Sequence, residues 1–175
     1  TDSSYALVCH LDDKAAADAL RRIRGVDERH QLTLLCRDLS ELANYARVDN
    51  RQYRLLKLGT PGPYTFILEA TKEVPRRLSH PSRRTIGLRV PDHKVTQALL
   101  AELGQPLLAT TLIAPGETDP LNDPEEIRDR GARLPRDSHS EPAASLRRQA
   151  PARHRPVPMS RRRVALCLGV LLAGA

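Results

Sequence analysis

The pattern of short apolar runs and capped helical segments predicts an α/β fold, with a mixed sheet and helices packed on it. Three observations carry that reading. Apolar runs of strand length alternate with helical patterns along the chain. The helical segments open on Asp and close on Gly. Two of the runs, 64–70 and 85–90, lie close enough in sequence to pair antiparallel. A chain of 175 residues, 40% hydrophobic and 28% charged, has room for one domain with a real core. Aromatic residues make up only 3%, so Leu, Val, Ile and Ala must fill the interior. Their scarcity also argues against a module that stacks single-stranded bases on exposed rings.

The elements follow in order. SYALVC (4–9) and QLTLLC (31–36) are short apolar runs bounded by polar turns, which predicts buried strands. Between them DDKAAADALRRIRG reads as a helix capped by Asp12 or Asp13 and stopped at Gly25. DLSELANYARVDNRQYRLLKLG reads as a helical pair, with Asp38 capping the first helix and Gly59 ending the second. PYTFILEA and RTIGLRV are strands, and DHKVTQALLAELG predicts a helix from Asp92 to Gly104. PLLATTLI is a last strand. After a loop, Asp123 is placed to cap a helix that has Pro124 at its first position and acids in its first turn.

The net charge of +7 is not spread evenly. Residues 1–130 hold 19 Lys+Arg and 19 Asp+Glu, so the whole excess comes from nine Arg against Asp137 and Glu141 in 131–175. The basic pI therefore describes the tail, and only local clusters are informative in the body. Five prolines and nine arginines in residues 131–163, with almost no large apolar side chain, predict a disordered segment. The final VALCLGVLLAGA is apolar but shorter than the about 20 residues a membrane helix needs. A non-native extension, a real disordered tail and a membrane segment all remain readings of this end. Cys9, Cys36 and Cys167 show no metal-ligand spacing and leave an odd thiol under any pairing. Reduced thiols imply a cytoplasmic compartment. The six histidines have no paired ligand pattern either, so no metal site is expected.

Three motifs stand out. Pro61-Gly62-Pro63-Tyr64-Thr65 puts a freely turning glycine between two prolines of fixed φ, a stiff approach to the strand TFIL. Such a turn presents Thr65 at little ordering cost; it can equally be a plain structural turn. Downstream, Arg89, Pro91 and His93 form an R-x-P-x-H pattern. Between these, Lys72, Arg76, Arg77, His80, Arg83, Arg84 and Arg89 face the single acid Glu73, a cluster that suits phosphate or RNA contact or a solvated loop. Thr1-Asp2-Ser3-Ser4-Tyr5 offers hydroxyls at a strand end, the third motif.

Together, and above all over Thr60–Leu108, these motifs resemble the YrdC/YciO family of threonylcarbamoyl-AMP synthases and their relatives, with the wording of the YciO-type branch. The resemblance spans residues 1–130 and implies a YrdC-like twisted open mixed sheet with flanking helices and a basic concave face. It also implies that the family's first helix and strand precede Thr1, leaving the domain incomplete at its start. The activity implied is ATP-dependent carbamoylation of L-threonine to threonylcarbamoyl-AMP, aided by Mg²⁺, with the group later moved to adenosine 37 of tRNA. By the same resemblance Thr1, Tyr5 and Arg24 bind substrate and ATP. Thr65, Arg89 and Thr111 hold the activated phosphate, and Lys72, Arg76, Arg77, Arg83 and Arg84 contact double-stranded RNA or tRNA. No side chain stands out as a strong general base. Two positions depart from the family: Val26 stands where the synthases carry an arginine, and Ile113 where they carry an asparagine. Each lost donor costs about 2–4 kcal/mol of transition-state stabilisation, by analogy with removing one preorganised hydrogen bond. The alternative function is therefore an RNA-binding module that keeps the fold with little synthase activity.

Overall fold

The computed structural model describes residues 1–131 together with 169–170. In chain order the elements are β1 (Ala6–His10), α1 (Lys14–Arg24), β2 (Thr33–Leu35), α2 (Leu39–Tyr45), β3 (Ala46–Arg47) and α3 (Asn50–Gly59). There follow β4 (Phe66–Ala70), β5 (Thr85–Arg89), α4 (Lys94–Leu103), β6 (Leu107–Thr111), α5 (Pro124–Gly131) and β7 (Gly169–Val170). The strands form one mixed sheet in the order β3-β4-β5-β2-β6-β1-β7. Only β2 and β5 run parallel; the remaining neighbours are antiparallel. β4 and β5 pair antiparallel, as their short separation implies. The expected tail over 131–175 lies outside the described residues except for Gly131, which ends α5, and Gly169–Val170, which pair with Val8 and Leu7.

Strand alternation sorts the side chains onto two faces. Leu7, Cys9, Leu34, Leu68, Ile86, Leu88 and Leu108 join the larger core cluster, where Leu20 of α1, Leu42 of α2 and Leu56 of α3 meet them. Ala6, Val8, Leu35, Leu107 and Ala109 point the other way and are covered by Leu99, Leu100 and Leu103 of α4. The smaller cluster covers one part of its face. Ile67 of β4, which shares that face, is 73% exposed, so the sheet is left open beside α4.

The helix signals act as the sequence implies. Asp13 caps α1 and Gly25 closes it in the left-handed region, at φ 68. Asp38 caps α2, and Asp49 forms a capping box with Gln52 at α3. Two readings need correction. The helical pair over 38–59 is interrupted by β3, because Ala46 and Arg47 pair with Ala70 and Glu69 and so extend the sheet by one strand. The cap of α4 is His93, not Asp92: the His93 ring accepts from Thr96, while the Asp92 N–H is turned toward Asp2.

Residues 71–84 form a long loop whose two anchors, Val74 and Leu78, are buried in the larger cluster. His80 organises its tip, accepting the N–H groups of Ser82 and Arg83 through Nδ1.

Candidate functional site

The open part of the sheet carries a small polar hollow of about 60 Å³, lined by Thr1, Ser4, Thr33, Thr65, Arg89 and Thr111 among others. Alternation explains the gathering. Thr33 in β2, Arg89 in β5 and Thr111 in β6 all share the face of the smaller cluster. Gly87 lies between them. A Cβ there would sit 3.1 Å from the Thr65 methyl and 3.4 Å from the Thr33 hydroxyl, so glycine is what lets these two threonines close over β5. Thr1 folds the 1–4 segment into a turn: its hydroxyl donates to the Ser4 carbonyl at 2.7 Å and accepts the Ser4 N–H at 3.3 Å.

Arg89 is the most heavily engaged side chain in the hollow. Its Nε donates to the Gly62 carbonyl at 3.2 Å, Nη1 to the Ser3 hydroxyl at 3.0 Å, and Nη2 to Asp2 Oδ1. The other Asp2 oxygen accepts the Asp92 N–H at 3.2 Å. Both side chains of the ion pair are only 11% exposed. The pair thus ties the 1–4 turn, the Pro61-Gly62-Pro63 turn, the end of β5 and the start of the β5–α4 connection into one unit.

On the far side of this clamp lies a larger groove of about 500 Å³, lined by residues that include Arg37, Ser40, Pro61, Val90, Pro91 and Gln97. It opens beyond the C-terminal ends of the parallel strands β2 and β5, where sheets of this kind commonly bind ligands. Its walls are largely apolar, whereas the convergent polar groups belong to the smaller hollow. We place the chemistry at the smaller one for that reason, whatever the difference in volume.

Arg24 reaches the same end of the sheet from α1. Gly25 packs against Pro115, which a Cβ would approach to 3.0 Å, so the end of α1 lies against the chain leaving β6. From there Arg24 Nη1 donates to the Thr111 carbonyl. His30 comes up beside it, with Nε2 3.4 Å from the Thr110 hydroxyl. Burial first, then the charges of Arg24 and Arg21, hold the His30 pKa below its ordinary value, while Asp27 opposes them. Burial also pushes the Cys9 thiol up to about 12, and the Cys36 thiol rises for the same reason. Both are buried free thiols without the thiolate character a nucleophile needs.

Of the residues expected to bind substrate, ATP or the activated phosphate, the structure brings Thr1, Thr65, Arg89 and Thr111 to the hollow and Arg24 to its β6 end. Tyr5 is elsewhere. Its side chain belongs to the larger cluster on the other face, and its carbonyl accepts from Leu112. The cations Lys72, Arg76, Arg77, Arg83 and Arg84 ride on the 71–84 loop, whose anchors also belong to that opposite cluster. Arg77 donates to the Leu11 and Asp12 carbonyls; the other four are exposed. Asp2, Thr33 and Gly87 belong to the site and escape sequence reasoning, whereas His30 touches the Thr110 hydroxyl on the face of the larger cluster. Asp2 stands inside the Thr1–Tyr5 motif, and alternation alone puts Thr33 and Gly87 on the open face. His30 carries no local signal. Among the described residues no group of three His, Cys, Asp or Glu is placed to hold a metal ion. None of their helices is long and apolar enough to cross a membrane.

Comparison with known proteins agrees with this fold. The profile of the Sua5/YciO/YrdC family, described as telomere recombination, matches residues 1–134. The uncharacterised protein YciO of Escherichia coli is 55% identical over 130 residues, which cover 74% of this chain and 63% of YciO. Its crystal structure superposes with a TM-score of 0.72 at 54% identity, covering 77% of this chain and 65% of that one. Threonylcarbamoyl-AMP synthase of Homo sapiens is 32% identical over 129 residues, 74% of this chain and 45% of the synthase. P. abyssi Sua5 complexed with L-threonine has the same fold, with a TM-score of 0.63 at 23% identity over 69% of this chain and 35% of Sua5. The chain thus spans less than two thirds of the YciO sequence it matches. With the mixed sheet, the capped helices and the profile match over residues 1–134 in agreement, the chain belongs to the Sua5/YciO/YrdC family.

Proposed function

We propose that this chain carries the substrate hollow of a threonylcarbamoyl-AMP synthase-type enzyme that acts on L-threonine, bicarbonate and ATP, linked to threonylcarbamoyladenosine modification of tRNA. The observation that carries the reading is the ring of hydroxyls, Thr1, Ser4, Thr33, Thr65 and Thr111, closed over Gly87 beside Arg24. Hydroxyls donate and accept without bringing a charge of their own, which suits a zwitterionic amino acid. L-threonine bound to the Sua5 relative points the same way.

In this reading the neutral threonine amine forms a C–N bond to bicarbonate carbon, and a C–O bond breaks with loss of water to leave a carbamate. A carbamate oxygen then attacks the α-phosphorus of ATP, and pyrophosphate leaves. Thr33, Thr65 and Thr111 orient the amino acid, and Arg24 faces the phosphates. The Asp2–Arg89 pair contributes no free cation; it fixes the two turns that bracket the hollow. Catalysis rests on positioning and on donors set in advance. Mg²⁺ fits as a companion of the polyphosphate, because oxygen ligands from phosphate and water suffice for it. A reducing, cytoplasmic compartment suits the buried free thiols Cys9 and Cys36.

The test is adenylate formation from ATP, bicarbonate and L-threonine, with pyrophosphate release as the readout. Product formation that falls at least tenfold in Arg24→Leu supports the reading; no product at high enzyme concentration ends it.

A second reading is favoured by one observation. Lys72, Arg76, Arg83 and Arg84 are exposed on a loop held in place by Val74 and Leu78. That arrangement fits phosphate contact with double-stranded RNA or tRNA. Binding to duplex RNA is then salt-dependent and weakens when these four residues become Glu, with a shallower salt slope. An unchanged affinity in that variant removes the RNA reading and leaves the first intact.

A further inference from the structure

The end of the 71–84 loop is held more tightly than its composition implies. Residues 80–85 close on themselves: the His80 N–H donates to the Thr85 carbonyl at 2.8 Å, and the Arg84 N–H donates to the His80 carbonyl at 2.9 Å. Within that closed turn His80 Nδ1 accepts the N–H groups of Ser82 and Arg83 at 3.3 and 3.2 Å. The ring nitrogen fills the place that an Asn or Asp oxygen takes in turns of this kind, and Pro81 fixes φ at the next position. The Arg84 carbonyl accepts the Ala70 N–H at 2.8 Å, which joins the turn to the end of β4.

Arg84 stands apart within this turn. At φ 52 it is, among the described residues, the one non-glycine residue in the left-handed region. Glycine is favoured there, because a Cβ crowds the following carbonyl. An arginine in that conformation costs stability, yet its exposed guanidinium forms no hydrogen bond or ion pair among the described residues. Backbone strain kept for a side chain that the fold does not use points to a use outside the fold.

We propose that Arg84 is the principal phosphate-contacting residue of this loop, and that His80 is the positioning residue that presets its backbone and that of Arg83. The inference rests on the duplex-RNA reading and says which of the loop's cations matters most. A guanidinium on a fixed backbone gives up less freedom on meeting a phosphate than one on a mobile loop. Its planar fork can then offer two donors to the phosphate oxygens. His80 acts differently. An Nδ1 that accepts two N–H groups carries its lone pair, so the ring in this arrangement is uncharged. Its contribution is to geometry alone, and it can be removed without changing the positive charge of the loop.

The experiment measures binding of the full chain to a blunt-ended RNA duplex over a range of salt concentrations, beside amide hydrogen exchange and urea unfolding. Arg84→Gly is expected to weaken binding about tenfold and to make the salt slope shallower by about one. Its urea midpoint should be no lower than that of the wild type, since glycine suits the left-handed position. His80→Ala keeps every cation, yet is expected to weaken binding about tenfold and to expose the Ser82 and Arg83 amides to exchange. His80→Asn returns an acceptor to the same place, and is expected to bind within about twofold of the wild type with those amides protected again. Wild-type affinity in Arg84→Gly or in His80→Ala overturns the inference and leaves the RNA reading standing. So does a His80→Asn chain as weak as His80→Ala, or a lowered urea midpoint in Arg84→Gly. Absence of salt-dependent duplex binding by the wild-type chain overturns both.

Discussion

Arg89 and the arginines of the 71–84 loop come from one stretch of sequence, yet Arg89 spends its guanidinium on Gly62, Ser3 and Asp2, while Arg76, Arg83 and Arg84 stand exposed. The difference follows from where each lies on the sheet. Arg89 ends β5 and points to the open face, where Asp2 is folded over it. The loop arginines sit between two apolar anchors that belong to the opposite face. A count of cations therefore overstates the charge available for phosphate: one of these arginines is already neutralised inside the fold. What remains for ligands is Arg24 on the hollow side and the loop on the other.

The sharpest way to break this comparison is to remove Asp2. Asp2→Ala leaves Arg89 almost buried without its counter-charge, and loss of one partner of a buried pair costs about 3–5 kcal/mol. Replacing both, Asp2→Leu with Arg89→Leu, is expected to recover much of that loss. Changing Lys72, Arg76, Arg83 and Arg84 to Glu should each shift stability by less than about 0.5 kcal/mol. Urea unfolding of these variants beside the wild type measures all of this. Equal losses at the clamp and the loop would erase the distinction.

Next in size is the loop's attachment. Leu78 is 3% exposed, and Leu78→Ala is expected to cost about 2–5 kcal/mol through the cavity it leaves. That loss should come with weaker protection of the 71–84 amides from hydrogen exchange. A change below 1 kcal/mol would mean that the loop is not packed on the core, and the opposition between clamp and loop would lose its structural basis.

The clamp and the loop also differ in how far they can be read from sequence. The loop's composition is visible at once, since six basic or imidazole side chains face one acid. Its anchoring is not, because Val74 and Leu78 are isolated apolar residues without periodicity. Strands and caps are legible because apolar runs, Asp13, Asp38, Gly25 and Gly104 act locally. The short strand β3 is not, since its two residues owe their extended state to pairing with β4 across some twenty intervening positions. Arg89 is recognisable from its place before Pro91, but its partner Asp2 lies 87 residues away in sequence. Nothing local announces such a pair. His30 is hidden for the same reason: its neighbours Thr110 and Arg24 are set beside it only by the sheet and by the close contact of Gly25 with Pro115.

Gly87→Ala probes the open face directly. The added methyl meets the Thr65 methyl at 3.1 Å and the Thr33 hydroxyl at 3.4 Å, so one or both threonines must shift. Overpacking of this kind costs about 1–3 kcal/mol. The expected functional result is larger than the structural one: L-threonine binding by calorimetry should fall at least tenfold while RNA affinity stays unchanged. Loss of both affinities together would show that the two regions are coupled, against the separation drawn from the sheet.

The smallest expected effect contrasts the buried carboxylate of Asp2 with the half-exposed one of Asp38. Asp38 accepts the Glu41 N–H at 2.8 Å as the cap of α2, and that bond, with Arg37 beside it, holds its pKa below the ordinary carboxylate value. A depressed folded pKa means that the cap's ionic contribution is fully present above the unfolded value near ~3.9 and is lost as pH falls through the folded one. Asp38→Ala should cost about 0.5–1 kcal/mol at pH 7, the lower part of the capping range, because solvent screens a side chain this exposed. Asp38→Asn keeps a capping oxygen without a charge, so its stability should stay flat where the wild type declines. Urea midpoints of the three proteins from pH 7 down to pH 2.5 decide the matter. Parallel acid limbs for wild type and Asp38→Asn would put the acid sensitivity elsewhere than in this cap, and the contrast between an exposed capping carboxylate and the buried Asp2–Arg89 pair would then rest on geometry alone.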